Sequence, residues 1–338
     1  MNGKNLIFKF FFLFLLGTSL SNAEPKKKGT RGLLPEINNN NEKNTPEASE
    51  QKQLNSELLI SRTENKAIEA LESILKKKKG SSQEADLLNR LAELYMRKSK
   101  SGRFFDLQRQ NNKNSLSSFP IPDEKGADSI KKALVQYQKI LTQFPKFGEY
   151  DSVLFNSAFA YQQINEKKKS ETNYKKLIES FSNSKLYTDS LIALGELLYD
   201  QGKFKEAETY FEKIEEHPDS KVYSYGIYKL AWTYYNLKDS SKAINKLKTV
   251  IAKNPATEEA MNKKGYYLRK ESLRDMVLFI GEVYEAKDLY QFFKKIATDE
   301  ELGPVLFDMA KLYDSYAKLK DIHIFLNEFI DKESNNSY

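Results

Sequence analysis

The reactive inventory of this chain is thin: two histidines and no cysteine in 338 residues. Without a thiol there is no cysteine nucleophile and no thiolate metal ligand. His217 precedes Pro218, and His323 lies between Ile322 and Ile324. Neither has a second ligand at i+4, the spacing that sets two metal-binding side chains on one helix face. Carboxylate pairs such as Glu215-Glu216 and Glu258-Glu259 are adjacent, so on a helix they diverge. No glycine-rich phosphate loop is present. These residues point to no catalytic group, no cofactor and no metal. What remains is recognition chemistry. Phe155, Phe159, Tyr199, Tyr225, Tyr228, Trp232 and Tyr235 fall at related spacings, and Trp and Tyr dominate interface energetics.

The elements that would position them follow from a repeat. Leu191, Leu194, Gly195, Leu198, Gly202, Ala207, Phe211 and Ile214 take positions 4, 7, 8, 11, 15, 20, 24 and 27 of a unit of about 34 residues starting at Thr188. Positions 4, 7, 8 and 11 share one helix face. Position 8 is small because a second helix crosses there, and positions 20, 24 and 27 form that helix's inner face. Gly202 ends the first helix, where a positive φ is often needed. Starting at Ser224, the pattern gives Ile227, Leu230, Ala231, Tyr234, Ala243, Leu247, Val250, Ile251 and Pro255. Starting at Asp151, it gives Leu154, Ala158, Tyr161, Tyr174, Leu177 and Ile178, with serine at 157 and 170. The unit from Gly303 supplies Leu306, Met309, Ala310, Tyr313, Ile322, Leu326, Phe329 and Ile330. The unit from Lys270 supplies Leu273, Met276, Val277, Ile280, Leu289, Phe293, Ile296 and Ala297, but lacks the glycine and the small residue at 20.

Upstream the pattern is interrupted. Leu88, Leu91, Ala92 and Tyr95 read as a first helix, and Ala133, Tyr137, Ile140, Leu141 and Pro145 as its second. An insertion near 99–127, roughly 29 residues beyond a standard unit, separates them. It carries Phe104, Phe105 and Phe119-Pro120-Ile121-Pro122; its first part is expected to prolong the first helix and its second part to be loop. Ala67, Leu71, Ile74 and Leu75 read as a lone second helix that caps the array. Glu258–Arg269, about a dozen residues over one unit, is expected to extend the helix running from Leu273 to Tyr284.

Over roughly 57–331 the chain resembles the tetratricopeptide-repeat family. The resemblance implies an all-α solenoid of about six helix–turn–helix units, whose faces are buried only by stacking. It implies a non-enzymatic scaffold for protein partners, with first helices lining the concave side. Positions 2, 5, 9 and 12 then face the groove. They hold Tyr225, Tyr228, Trp232 and Tyr235 in the unit from Ser224, Phe155 and Phe159 in the unit from Asp151, and Tyr199 in the unit from Thr188. Trp232 fits core and groove equally. Position 5 carries Asn89, Phe155, Ile192, Tyr228, Arg274 and Phe307, which suits an apolar peptide or helix rather than a carboxylate clamp.

Residues 1–23 are set apart. A basic start at Lys4, the apolar run Phe10–Leu16 and Ser21-Asn22-Ala23 read as a secretory signal peptide cleaved after Ala23; retention as an anchor is the alternative. Residues 24–50, rich in Lys, Asn, Pro and Glu, read as a disordered tether, leaving 51–338 as the solenoid. Lacking cysteine, the chain cannot take a lipoprotein anchor, so the expected address is the bacterial periplasm, with membrane contact only indirect or through the tether. The net charge is +7, falling by two when Lys4 and Lys9 leave. That excess is mild, and the runs Lys76–Lys79 and Lys167–Lys169 fall at helix ends, so no nucleic-acid partner is expected. Leader, tether, interrupted first repeat and phrases such as Leu91-Ala92-Glu93-Leu94-Tyr95 together resemble exported repeat proteins of the bacterial gliding-motility type. That layout implies envelope proteins or peptides as partners, in a motility or envelope-assembly complex. A cell-wall accessory factor that binds glycan or regulates an envelope enzyme is the other reading, because groove aromatics also stack on sugars.

Overall fold

The computed structural model describes residues 46–111, 122–123, 125–257, 264–281 and 283–333. The leader, residues 24–45 of the tether, Phe119-Pro120-Ile121 and the stretch 258–263 lie outside the described residues. The chain divides into units 1–50 and 51–338, and the packing below is all within the second. Among the described residues there are thirteen α-helices and no strand. They are α1 (Pro46–Lys77), α2 (Glu84–Asn111), α3 (Gly126–Gln143), α4 (Tyr150–Gln163), α5 (Lys167–Ser180), α6 (Tyr187–Tyr199), α7 (Phe204–Glu212), α8 (Tyr223–Asn236), α9 (Ser240–Lys253), α10 (Lys264–Ile280), α11 (Ala286–Lys294), α12 (Asp299–Ser315) and α13 (Leu319–Lys332). A 3-10 turn, Lys213–Glu216, follows α7 and carries the buried Ile214.

From α2 to α10 each helix packs on the next in sequence. The core is the template face: Leu191, Leu194, Leu198, Ala207, Phe211 and Ile214 have no exposed surface, and neither do Ile227, Leu230, Ala231, Ala243 and Leu247. At position 8 of the unit from Thr188, a Cβ on Gly195 would stand 2.6 Å from the Phe211 ring. The close crossing therefore selects the smallest residue.

The turn between first and second helix is the same in four units. Position 15 is left-handed at Asn165 (φ 63°), Gly202 (φ 75°), Lys238 (φ 66°) and Ala317 (φ 57°). In each unit the following backbone N–H reaches back to the position-11 carbonyl: Glu166 to Tyr161, Lys203 to Leu198, Asp239 to Tyr234 and Lys318 to Tyr313, at 2.9–3.0 Å. This closure uses carbonyls that a helix end would otherwise leave unpaired. The end of each of three units is tied back to its own position 1: Ser184 donates to Asp151, Ser220 to Thr188 and Asn254 to Ser224, with separations of 2.5, 3.0 and 3.1 Å.

Two boundaries and one helix face differ from expectation. Residues 46–50, assigned to the tether, begin α1, which opens on Pro46, a residue suited to a first helical turn. The inner face of α1 is Leu54, Ser61 and Ile68 with half-buried Leu71 and Leu75; Ala67 is exposed and Ile74 is 46% exposed. The late helix ends at Ile280 rather than Tyr284.

The insertion does prolong the first helix. α2 has 28 residues, about 42 Å of helix. Phe105 is fully buried with its ring edge-on to Phe104 at 5.8 Å, so it is packing rather than a free contact. Asp106 accepts from the Gly126 N–H at 3.1 Å, while Arg109 donates to the Pro122 carbonyl, tying the far end of α2 to the start of α3. Beyond α9 the pairing changes: α10 packs on α9 and α12, and α11 on α13. Phe329 is buried on the inner face of α13 as expected, but Ile330, expected beside it, is 62% exposed and Phe325 is buried in its place.

Candidate protein-binding face

The seven aromatic residues divide into two groups. Phe155, Tyr225 and Tyr228 are buried, at 2%, 7% and 0% exposure, contrary to an open-groove placement. Positions 2 and 5 of one first helix lie in its joints with neighbouring helices. Phe155 meets the Tyr174 ring edge-on at 5.6 Å, and the Tyr225 hydroxyl donates to Glu196 on α6. The Tyr228 hydroxyl donates to Asp275 on α10 at 2.5 Å. Phe159, Tyr199, Trp232 and Tyr235, at positions 9 and 12, are half-buried and keep part of each ring accessible.

Trp232 is both packing and surface. Its Nε1–H donates to Asp275 at 2.9 Å, and its ring lies edge-on to Phe279 at 5.0 Å. Tyr235 stacks on Phe279 at 4.3 Å with 9° between the planes. The Tyr199 hydroxyl accepts from the Asn236 side chain at 2.8 Å, and the Lys229 ammonium sits 4.4 Å from the Tyr199 ring centroid. Side chains on α6, α8 and α10 thus form one connected surface.

Its electrostatics are acidic. Burial pushes the Glu196 carboxyl up, and Lys229 at 3.6 Å and the Tyr225 hydroxyl oppose this only in part. Tyr199 is pushed up to about 12, chiefly by burial, with Asp200 and Asp275 adding to it against the Asn236 hydrogen bond. Tyr228 is raised by burial and then by Asp275. Asp200 and Asp275 therefore act on Tyr199, and Glu196 and Asp200 on Tyr225, with Lys229 among them. Among the described residues no three His, Asp or Glu side chains gather as a metal set. The Lys229–Glu196 pair and the role of Asp275 escaped the sequence reading. A polar residue at position 6 of successive first helices was the available signal.

Stacked antiparallel hairpins with a shared left-handed turn define a helical-repeat scaffold. Residues 152–184, 189–220 and 225–257 match the tetratricopeptide repeat family. The chain thus carries three tetratricopeptide repeats, spanning α4 through α9. Repeats of this kind hold protein partners, and that coarse role applies here. Among solved structures it is similar to pilF of Pseudomonas aeruginosa, at 14% identity over 72% of this chain and 92% of that one, TM-score 0.38. The C-terminal part of a TPR repeat-containing protein from Cytophaga hutchinsonii aligns at 13% identity over 84% and 96%, TM-score 0.37. A MamA RS-1 double mutant aligns at 13% identity over 60% and 94%, TM-score 0.39. No curated protein matches the chain.

Proposed function

We propose that this protein is an exported, non-enzymatic scaffold that holds protein partners of the bacterial cell envelope, as part of a motility or envelope-assembly complex. The observation that carries the binding site is the row of half-buried rings at positions 9 and 12: Phe159 on α4, Tyr199 on α6, Trp232 and Tyr235 on α8. Partly open aromatics on successive first helices offer a peptide or helix apolar area already fixed in place, so little side-chain entropy is lost on binding. Export rests on Lys4, the apolar run Phe10–Leu16 and Ser21-Asn22-Ala23.

The test is in-cell crosslinking with the parent chain and a Phe159→Ala/Trp232→Ala variant, after fractionation of the cells. Periplasmic recovery, N-terminal sequence starting at Glu24, and partners captured by the parent alone are expected. Helix content by circular dichroism must match between the two. Cytoplasmic recovery removes the export reading, and equal capture moves the binding site off these rings. The second reading, glycan binding, uses the same rings and the carboxylates beside them. Retention of the parent on purified cell wall, lost in the variant, would favour it.

A further inference from the structure

In the central repeats a second helix is covered by the first helix of its own unit. At positions 20, 24 and 27, Ala207, Phe211 and Ile214 have no exposed surface, and Ala243, Leu247 and Val250 have at most 1%. The matching residues of α1 are Ala67, Leu71 and Ile74, and these are exposed, half-buried and 46% exposed. With Ala70 they line one wall of an open trough of about 300 Å³. The other wall is Arg90, Glu93, Leu94 and Arg97 of α2, at positions 6, 9, 10 and 13 of that first helix.

Those positions have a precedent in the same chain. On α8, position 6 is Lys229, which pairs with Glu196 at position 9 of the preceding first helix, 3.6 Å away. Position 13 is Asn236, which donates to Tyr199 at position 12 of that helix. The two walls of the trough therefore present the two surfaces that α6 contacts elsewhere: the inner face of a second helix and the leading face of the next first helix. We propose that the trough is a first-helix seat that accepts an amphipathic helix from a partner protein. That helix presents apolar residues at i, i+3, i+4 and i+7, a Gly or Ala where it crosses Leu71, as Gly195 crosses Phe211, and a carboxylate facing Arg90, as Glu196 faces Lys229. Exposed Arg90 and Arg97 outnumber Glu93 on that wall, so an acidic helix is favoured over a basic one. The surface uses none of the rings on α4, α6 and α8, and the proposal stands apart from the one above.

Because the chain has no cysteine, Thr63→Cys, one turn before Ala67 on an exposed part of α1, gives a single site for an environment-sensitive fluorophore. The probe is a synthetic peptide of residues 187–199, the α6 sequence, flanked by alanine-rich turns to keep it helical. Titrated into the labelled full chain, it should give a saturable shift. A peptide with Glu196→Lys should bind at least about ten-fold more weakly, and Arg90→Glu in the chain should restore it; that loss is about 1.4 kcal/mol. Ala67→Trp, at an exposed site, should abolish the shift while helix content and melting stay unchanged. No saturable shift with millimolar peptide, or equal binding of both peptides, overturns the proposal. A shift that grows with chain concentration alone assigns the seat to a second copy and also overturns it.

Discussion

Two charged joints in this molecule solve the same problem in opposite ways. Between α6 and α8, Lys229 stands 3.6 Å from Glu196, and burial dominates the carboxylate, whose pKa is raised. Between α10 and α12, Arg269 grips Glu301 with two hydrogen bonds of 2.8 and 2.7 Å. The same guanidinium also donates to the Ile251 and Ile296 carbonyls, joining α9, the end of α11 and α12. Burial raises Glu301 too, but the Arg269 and Thr298 hydrogen bonds outweigh it and its pKa is lowered. The difference follows the repeat. Where the template is intact, apolar crossing residues hold the joint and the charges are left partly compensated beside the accessible rings. Where the small residue at 20 and the left-handed turn are missing, a buried ion pair with four hydrogen bonds from one guanidinium takes over.

The largest test of that contrast is Arg269→Ala. It leaves Glu301 buried with the Thr298 N–H in place of its ion partner and takes the Arg269 donor from the Ile296 carbonyl, and should cost about 3–5 kcal/mol. Lys229→Ala should cost clearly less, because Glu196 can take up a proton instead. Urea unfolding of both variants measures the gap, and equal losses would erase the distinction between the joints.

Gly195→Ala tests the apolar half of the comparison. A methyl placed 2.6 Å from the Phe211 ring must push that ring out of a fully buried position. Overpacking of this kind costs about 1–3 kcal/mol. A loss near zero in thermal unfolding would mean the crossing has slack and the small residue at position 8 is not demanded by packing.

The pH dependence of stability should run in opposite directions at the two carboxylates. Glu301 has its folded pKa below 4.5, so its contribution is complete above 4.5 and is lost as pH falls through the lowered value. Glu196 has its folded pKa above 4.5, so the folded state binds the extra proton. Its favourable contribution is complete below 4.5 and is lost as pH rises through the raised value. Unfolding free energies measured between pH 3 and 7 should therefore show a shallower acid-side fall in Glu301→Gln than in the parent. In Glu196→Gln they should decline less steeply above 4.5 than in the parent. The same slope in both variants would refute the assignment.

Much of this was legible in the residues, and the part that was not has a physical cause. The unit read from Thr188 starts one residue inside α6, and its positions 20 and 24 fall on α7, because positions 4, 7, 8, 11, 20 and 24 are fixed by one helix crossing. The face of α1 was misread for a related reason. Ala67 and Ile74 sit at inner-face positions by the template, but among the described residues no first helix of their own covers them, and Ile68 turns to α2 instead. Among the aromatics, the pattern could not separate a groove from a joint. Tyr228 is buried by Asp275, which lies 47 residues further on, in the degenerate unit where the register is weakest. Spacing within a repeat encodes the hairpin, while burial at positions 2 and 5 depends on the neighbouring unit.

The smallest effect concerns the shared turn, and its ordering is informative. All four position-15 residues are left-handed, but glycine alone adopts that conformation without a Cβ penalty. Asn tolerates it through its short polar side chain, whereas Ala and Lys bear the penalty of about 1–2 kcal/mol. Replacement by glycine also frees the unfolded chain, which takes back about 0.4–1 kcal/mol. Ala317→Gly and Lys238→Gly should therefore stabilise by up to about 1 kcal/mol, and Asn165→Gly by close to nothing. Gly202→Ala should destabilise by about the amount Ala317→Gly gains, since the two turns share the same closing bonds from position 16 to position 11. Melting temperatures of the four variants give the order directly. If Ala317→Gly destabilised while Gly202→Ala did not, the left-handed turn would be imposed by packing around it in each unit separately, and the equivalence of the four turns would fail.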